Sequence, residues 1–329
     1  MTKRFPAFSR VAILLAMYAI LVPLLALPAN AQTLPDSTIG LYPPEAGELA
    51  YADLHTLRQS PHYKILHDSY VPARLRQLET QALSLGIDFE AQAQQLSWAY
   101  VAGQSGIELI SVAEGSFAPS TVAERAQAMK LSVTEVSGRA VIGMGQNEAG
   151  QPFAIAFPDS SKLVFGTRSQ VETMLARAAS GAPGFLQNTT LSPLLPEANG
   201  RNSIWAVMDQ RFAAIEIRTI APDAAGRPEA QTLLNNLRAA IARATLGNDL
   251  SSTASFLCTD ASQAALLAAV AQAGFALYAT AEVNQNPDMA SALHAAVVQQ
   301  SGDRVELNLS LTQSQIGLLL AHSVTPPRR

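Results

Sequence analysis

The chain has 329 residues, 48% hydrophobic, 15% charged and 6% aromatic, with a net charge of −4. Apolar residues recur in periodic segments, which excludes a disordered chain, and the missing basic excess excludes phosphate neutralisation as a basis for nucleic-acid binding. The length allows one large domain or two ordinary ones. The single cysteine, Cys258, excludes an intrachain disulfide and reads as a buried, inert thiol on a strand, so stability must come from burial.

Residues 1–31 read as a secretory signal peptide. Lys3, Arg4 and Arg10 form a basic start, Val11 to Leu27 an apolar run, and Pro28-Ala29-Asn30-Ala31 a small-residue cleavage site. Cleavage after Ala31 leaves Gln32 first, with 19 basic and 26 acidic groups and a net charge of −7. The expectation is an exported protein, periplasmic or extracellular, with an uncleaved N-terminal membrane anchor as the alternative. Its acidic surface is repelled by anionic lipid, so no stable membrane insertion is expected after cleavage.

Residues 32–46 carry three prolines and read as an extended lead-in. Leu49 to Asp53 reads as a strand entering a helical segment. Arg74 to Leu85 puts Leu75, Leu78, Ala82 and Leu85 on one helical face, stopped by Gly86. Asp88 is placed to cap a short helix through Leu96, and Ser97–Gly103 with Ile107–Ala113 reads as a hairpin. Thr121 with Glu124, Ser169 with Glu172 and Asp260 with Gln263 fit the capping box. Gly143, Gly145 and Gly150 lie between two strand-like runs, Arg139–Gly143 and Gln151–Phe157. They mark a hairpin, because a dinucleotide loop needs a helix after its glycines. A second hairpin joins Phe153–Phe157 to Leu163–Gly166, and a helix follows from Gln170 to Ala179.

Val207 to Asp209 repeats the strand ending in aspartate. A helix over 230–244 is expected from the stripe Leu233, Leu237, Ile241 and Ala244, then a strand ending at Cys258. Helices 261–273 and 288–300 are Ala-rich and offer small-residue faces to the core or to a partner. A strand from Arg304 to Leu311 comes last, with 221–228 a surface loop and 326–329 a frayed tail. These elements predict an α+β fold of two related strand–helix units, 47–200 and 201–325. Largely antiparallel sheets are expected, with helices packed on one face.

The stretch 154–175 (AIAFPDSSKLVFGTRSQVETML), with Ala50–Pro61 (AYADLHTLRQSP) and Asn202–Asp209 (NSIWAVMD), resembles exported bacterial α+β proteins with a repeated strand–helix plan. That resemblance carries no assigned activity, so it implies fold and location and no site.

The densest polar group is Asp53, His55, His62, His67 and Asp68. Imidazole and carboxylate suit zinc, but His62 and His67 sit about 140° apart on a helix and Pro61 separates them from His55, so no metal or other cofactor is expected. Glu114, Asp159 and Asp209 close strands as turn and cap residues. Asn188 and Asn308 match the glycosylation sequon by chance, and no hydrolase motif is present. The expected function is a non-enzymatic binding or interaction role in the cell envelope, with another envelope or secreted protein as partner. The alternative is an exported hydrolase that brings Asp53, His55 or His67 against Asp209.

Overall fold

A computed structural model describes residues 33–70, 73–103, 106–147, 150–200, 202–220, 228–284 and 286–323. The segment expected as a signal (1–31), loop residues 221–227 and the tail 326–329 lie outside them. In chain order the elements are α1 (Asp36–Ile39), β1 (Glu48–Asp53), α2 (Leu54–Arg58), α3 (Tyr63–Tyr70), α4 (Ala73–Ser84), α5 (Phe89–Gln92), β2 (Ala93–Gly103), β3 (Gly106–Gly115), α6 (Pro119–Ala128), β4 (Val133–Val136), β5 (Arg139–Gln146), β6 (Pro152–Asp159), β7 (Lys162–Thr167) and α7 (Arg168–Ser180). After two 3-10 turns come α8 (Leu195–Ala198), β8 (Ile204–Asp209), α9 (Gln210–Ile220), α10 (Pro228–Asn235), β9 (Leu237–Leu246), β10 (Leu250–Cys258), α11 (Ala261–Glu282), α12 (Pro287–His294), β11 (Val297–Ser301), β12 (Arg304–Leu311) and α13 (Gln313–Ser323). The fold is α+β, and every strand pairing described is antiparallel.

Two compact units emerge. The first comprises Gln32–Thr56 and Tyr70–Pro193, the second Leu57–Ser69 and the chain from Leu194 onward. The segment Leu57–Ser69 thus packs with the later unit, although sequence order puts it in the earlier one.

In the first unit the strand order is β1-β2-β3-β7-β6-β5-β4. Phe153, Ile155 and Phe157 of β6 share a core with Leu85 and Ile87 after α4 and with Val122 and Ala126 of α6. Ala154 and Ala156 alternate with them, point the opposite way, and are equally buried. Helix α7 packs on the same strands and supplies Val171, Met174 and Leu175. Helices on one face were expected; here the sheet is buried on both, which is why β6 reads as an unbroken apolar run. The segment expected as an extended lead-in folds into α1 and buries Leu34, Ile39 and Tyr42. Asn188 holds it in place, donating to the Pro44 and Ala46 carbonyls at 2.8 and 3.0 Å while accepting from the Thr190 and Leu191 amides.

In the second unit the order is β11-β12-β10-β9-β8. The helix expected over 230–244 stops at Asn235, and Leu237 to Leu246 is strand β9. Spacing by four is also even, so Leu237 and Ile241 fit one face of a strand as well as a helical stripe. Pairing with β8 and β10 decides between them. The helix expected over 288–300 likewise ends at His294, and the β-branched pair Val297-Val298 opens β11.

Of the three expected capping boxes, none closes in full and only one forms its cap, the Gln263 side chain accepting from Asn236 at 3.1 Å and not reaching back. Asp260 accepts from the Ser262 and Gln263 amides at 2.8 and 2.9 Å. Thr121 lies inside α6, which starts at Pro119 with its ring at the first helical position, where a missing N–H costs nothing. Ser169 lies inside α7, and Glu172 pairs with Arg168 one turn earlier at 2.8 Å. Asp88 does cap a helix, accepting from the Ala91 amide at 3.1 Å, but α5 ends at Gln92 and the chain is already strand at Ala93.

Candidate functional site

The polar residues singled out in the sequence are tied up in local structure. Asp53 ends β1 and is buried, and both its oxygens are taken by Thr56: the amide at 2.9 Å and the hydroxyl at 2.8 Å. His62 is buried in the second unit, where its Nε2 lies 3.2 Å from the Asn248 carbonyl. A carbonyl only accepts, so Nε2 carries the proton and is closed to a metal. Beside it the Ser60 hydroxyl donates to the Gly247 carbonyl at 2.9 Å, so Ser60 and His62 together clasp the turn between β9 and β10. His67 tilts against Tyr63 one turn earlier on α3, centroids 5.9 Å apart. His55 is exposed and belongs to the first unit, whereas His62 and His67 belong to the second. The Asp68 side chain lies outside the described residues. Among the described residues no three His, Cys, Asp or Glu side chains come together as a metal site.

The strand-end carboxylates are equally committed. Glu114 accepts from the Thr38 hydroxyl of α1. Asp159 accepts from the Ser161 amide and hydroxyl at 2.7 and 2.6 Å, and Asp209 accepts from the Phe212 amide at 2.9 Å. Burial pushes the Tyr51 phenol up, with the Asp53 and Glu114 charges adding to the shift, so the ring stays neutral. Burial also pushes the Cys258 thiol up, reinforced by Asp303 and Asp260; a thiol held protonated is a poor nucleophile. Asn188 spends its nitrogen on the lead-in and its oxygen on the Thr190 and Leu191 amides, and Asn308 sits in β12 bonded to Thr253 at 2.8 Å. Neither amide is available as a glycan acceptor.

One polar network had no local signal in the sequence. In the second unit Glu197 of α8 pairs with Arg304 of β12 through two nitrogens and with Arg243 of β9 at 3.2 Å. Glu306 approaches the same Arg243 at 3.7 Å. The Arg304 hydrogen bond holds the Glu197 carboxyl below its ordinary range. Two cations and two anions balance there, which makes the network a brace and leaves no net charge to attract a ligand.

A hollow of about 270 Å³ beside the start of α6 is lined by Pro119, Ser120, Arg139, Phe157 and Asp159. It is small for a small-molecule site, and its one carboxylate is already bonded to Ser161.

The strongest anomaly is α11. It runs for 22 residues with no charged side chain between Asp260 and Glu282. By length and composition alone it could cross a membrane. A helix apolar all round is normally buried, yet only one side of α11 packs, through Ala264, Ala268 and Ala279, against β10, β12, β11 and α12. On the other side Leu266, Val270 and Leu277 are 50%, 49% and 69% exposed. The Gln272 amide reaches the Val298 carbonyl of β11 at 3.4 Å and fixes the helix on its sheet. The Ala-rich composition is plain in the sequence, but the stretch continues nine residues past the expected end at 273. Its lone Gly274 does not break it, because glycine costs a helix only about 1 kcal/mol.

No family model matches the chain, and no curated protein matches it. Among solved structures, crystal form III of TP0453 aligns over 86% of this chain and 97% of that one, at 12% identity and a TM-score of 0.50. Crystal form I of the same protein aligns over 87% and 97%, at 12% identity and a TM-score of 0.49. At that identity the likeness is one of fold.

Proposed function

We propose that the chain is an exported, non-enzymatic protein that works by binding, in the periplasm or outside the cell, with the outer side of α11 as its docking surface. The observation that carries the reading is an apolar helix with half its circumference bare. Exposed apolar surface that is contiguous, and not scattered, marks a place where something docks. Export rests on the order of basic, apolar and small-residue regions in residues 1–31.

We also read the two units as related. The strand orders β1-β2-β3-β7-β6 and β8-β9-β10-β12-β11 follow one plan, with β4 and β5 as an addition to the first unit. In each unit the opening strand ends in an aspartate, Asp53 or Asp209, that accepts from the backbone amide three residues on at 2.9 Å. In each, the last strand of the plan leads into a helix, α7 or α13.

The test is a double variant, Val270→Gln with Leu277→Gln, followed by thermal unfolding and by binding of a hydrophobic dye to the folded protein. Replacing exposed side chains leaves stability within about 0.5 kcal/mol, so an unchanged Tm with markedly less dye bound is expected. A Tm lowered by more than about 5 °C and independent of protein concentration would mean that these side chains are covered within the chain, and the docking reading would fall.

A further inference from the structure

We infer that the outer side of α11 receives α11 of a second copy of this chain, packed antiparallel about a two-fold axis at Ala273. The inference rests on the docking reading above and names its partner. On the exposed side Leu266, Val270, Ala273, Leu277 and Thr280 follow one another at spacings of four, three, four and three. That is the repeat of a seam between two helices. Thr280 suits such a seam, because its hydroxyl donates to the Ala276 carbonyl at 2.8 Å and is thereby satisfied within its own helix. Ala269 and Ala276 flank the seam and let a second backbone approach closely.

Antiparallel pairing about Ala273 sets every large side chain of the seam against a small one. Leu266 faces Thr280, Val270 faces Ala276, Leu277 faces Ala269, and Ala273 meets itself. Alternation of large and small across an interface is what fills it without voids. Parallel pairing would stack Leu277 on Leu277. The antiparallel pair brings Asp260 of one copy about one turn from Glu282 of the other, but both lie at the exposed ends of the seam, where salt screens them. The strip carries no Lys or Arg of the kind that holds interfacial helices to lipid, which favours a second copy over a bilayer.

The area sets the strength. A 22-residue helix is about 33 Å long, and a third of its circumference offers on the order of 400 Å² per chain. A pair therefore buries about 800 Å², the size of a weak, transient interface, so a dimer fraction that rises with concentration is expected.

The experiment uses the full mature chain. Sedimentation velocity from roughly 1 to 100 μM, a range that detects weak association, should show a rising dimer fraction. Leu277→Glu, a change on an exposed side chain, should weaken the dimer at least ~10-fold. Ala273→Cys, on the axis, should give a covalent dimer on mild oxidation, while the buried Cys258 of the unmodified chain gives none. A monomer at every concentration, with no cross-link at position 273, overturns the second copy. Flotation with neutral phosphatidylcholine vesicles then separates the two failures. Binding that Leu277→Glu abolishes leaves the docking surface standing with lipid as its occupant. No binding by either form overturns the docking reading as well.

Discussion

At the scale of the residue, the carboxylates that look most like chemistry are structural. Asp53 and Asp209 each close a strand and hold the first turn of the helix after it, a role worth about 1 kcal/mol. Asp53→Ala should reach the upper end, about 2 kcal/mol, because its two bonds to Thr56 are buried; Asp209→Ala should cost about half as much. Urea unfolding of both variants checks the order. Glu197 gives a pH signature. Its carboxyl is depressed in the folded chain, so its contribution is fully present above the unfolded value of about 4.3 and is lost as pH falls through the folded one. Stability measured between about pH 5 and pH 2 should therefore fall more steeply for the parent than for Glu197→Gln. Glu216 on α9 runs the other way. Burial raises its carboxyl, so its charge costs stability above the folded value and the cost disappears as pH falls. Glu216→Gln should raise Tm at pH 8 and leave it unchanged at about pH 3.5, where both side chains are neutral. The cap at Asp260 was legible because its partners lie two and three residues away. The Glu197 brace was not, since Arg304 is 107 residues distant.

At the scale of the element, period and punctuation carried most of the strands, three hairpins of the first unit (β2–β3, β5–β6 and β6–β7) and α4. They failed where a pattern fits two periods, as over 237–244, or where tertiary contact sets the boundary. Thr167 shows the second case. It precedes α7 in the cap position, yet its hydroxyl bonds Glu108 at 3.1 Å across the sheet, and the helix begins without a side-chain cap. The lead-in is the sharpest case. Three prolines suggest an unpacked strand, but Tyr42 buries its ring and shares a 2.7 Å hydrogen bond with Ser97 of β2. It docks against the 3-10 turn Gly184–Gln187, where Gly184 has φ +51° and an added Cβ would drive into the carbonyl oxygens of Gly40 and Tyr42. Gly184→Ala should cost roughly 3 kcal/mol or more by urea unfolding, from the clash and the left-handed backbone together.

At the scale of the whole molecule, the α+β class and its antiparallel strands were open to reading, because antiparallel sheets announce themselves through short turns. The bare side of α11 was not. Composition marks the helix as apolar, and only packing reveals that half of it is left uncovered. If residues 1–31 are a signal, the mass of protein recovered from the cell envelope should begin at Gln32. An intact Met1 would instead make the segment an anchor and place the docking surface beside a membrane.

The Asn188 clamp has a consequence for the order in which the chain acquires structure. Its amide holds carbonyls 144 and 142 positions earlier, so this clamp cannot close until almost the entire first unit has been synthesised. Until then Leu34, Ile39 and Tyr42 lack the complete cover they have in the folded chain. Closing so long a loop is slow, since its entropy is lost before any contact rewards it. That delay keeps the leading end pliable, the state in which a polypeptide can still be threaded through a narrow channel.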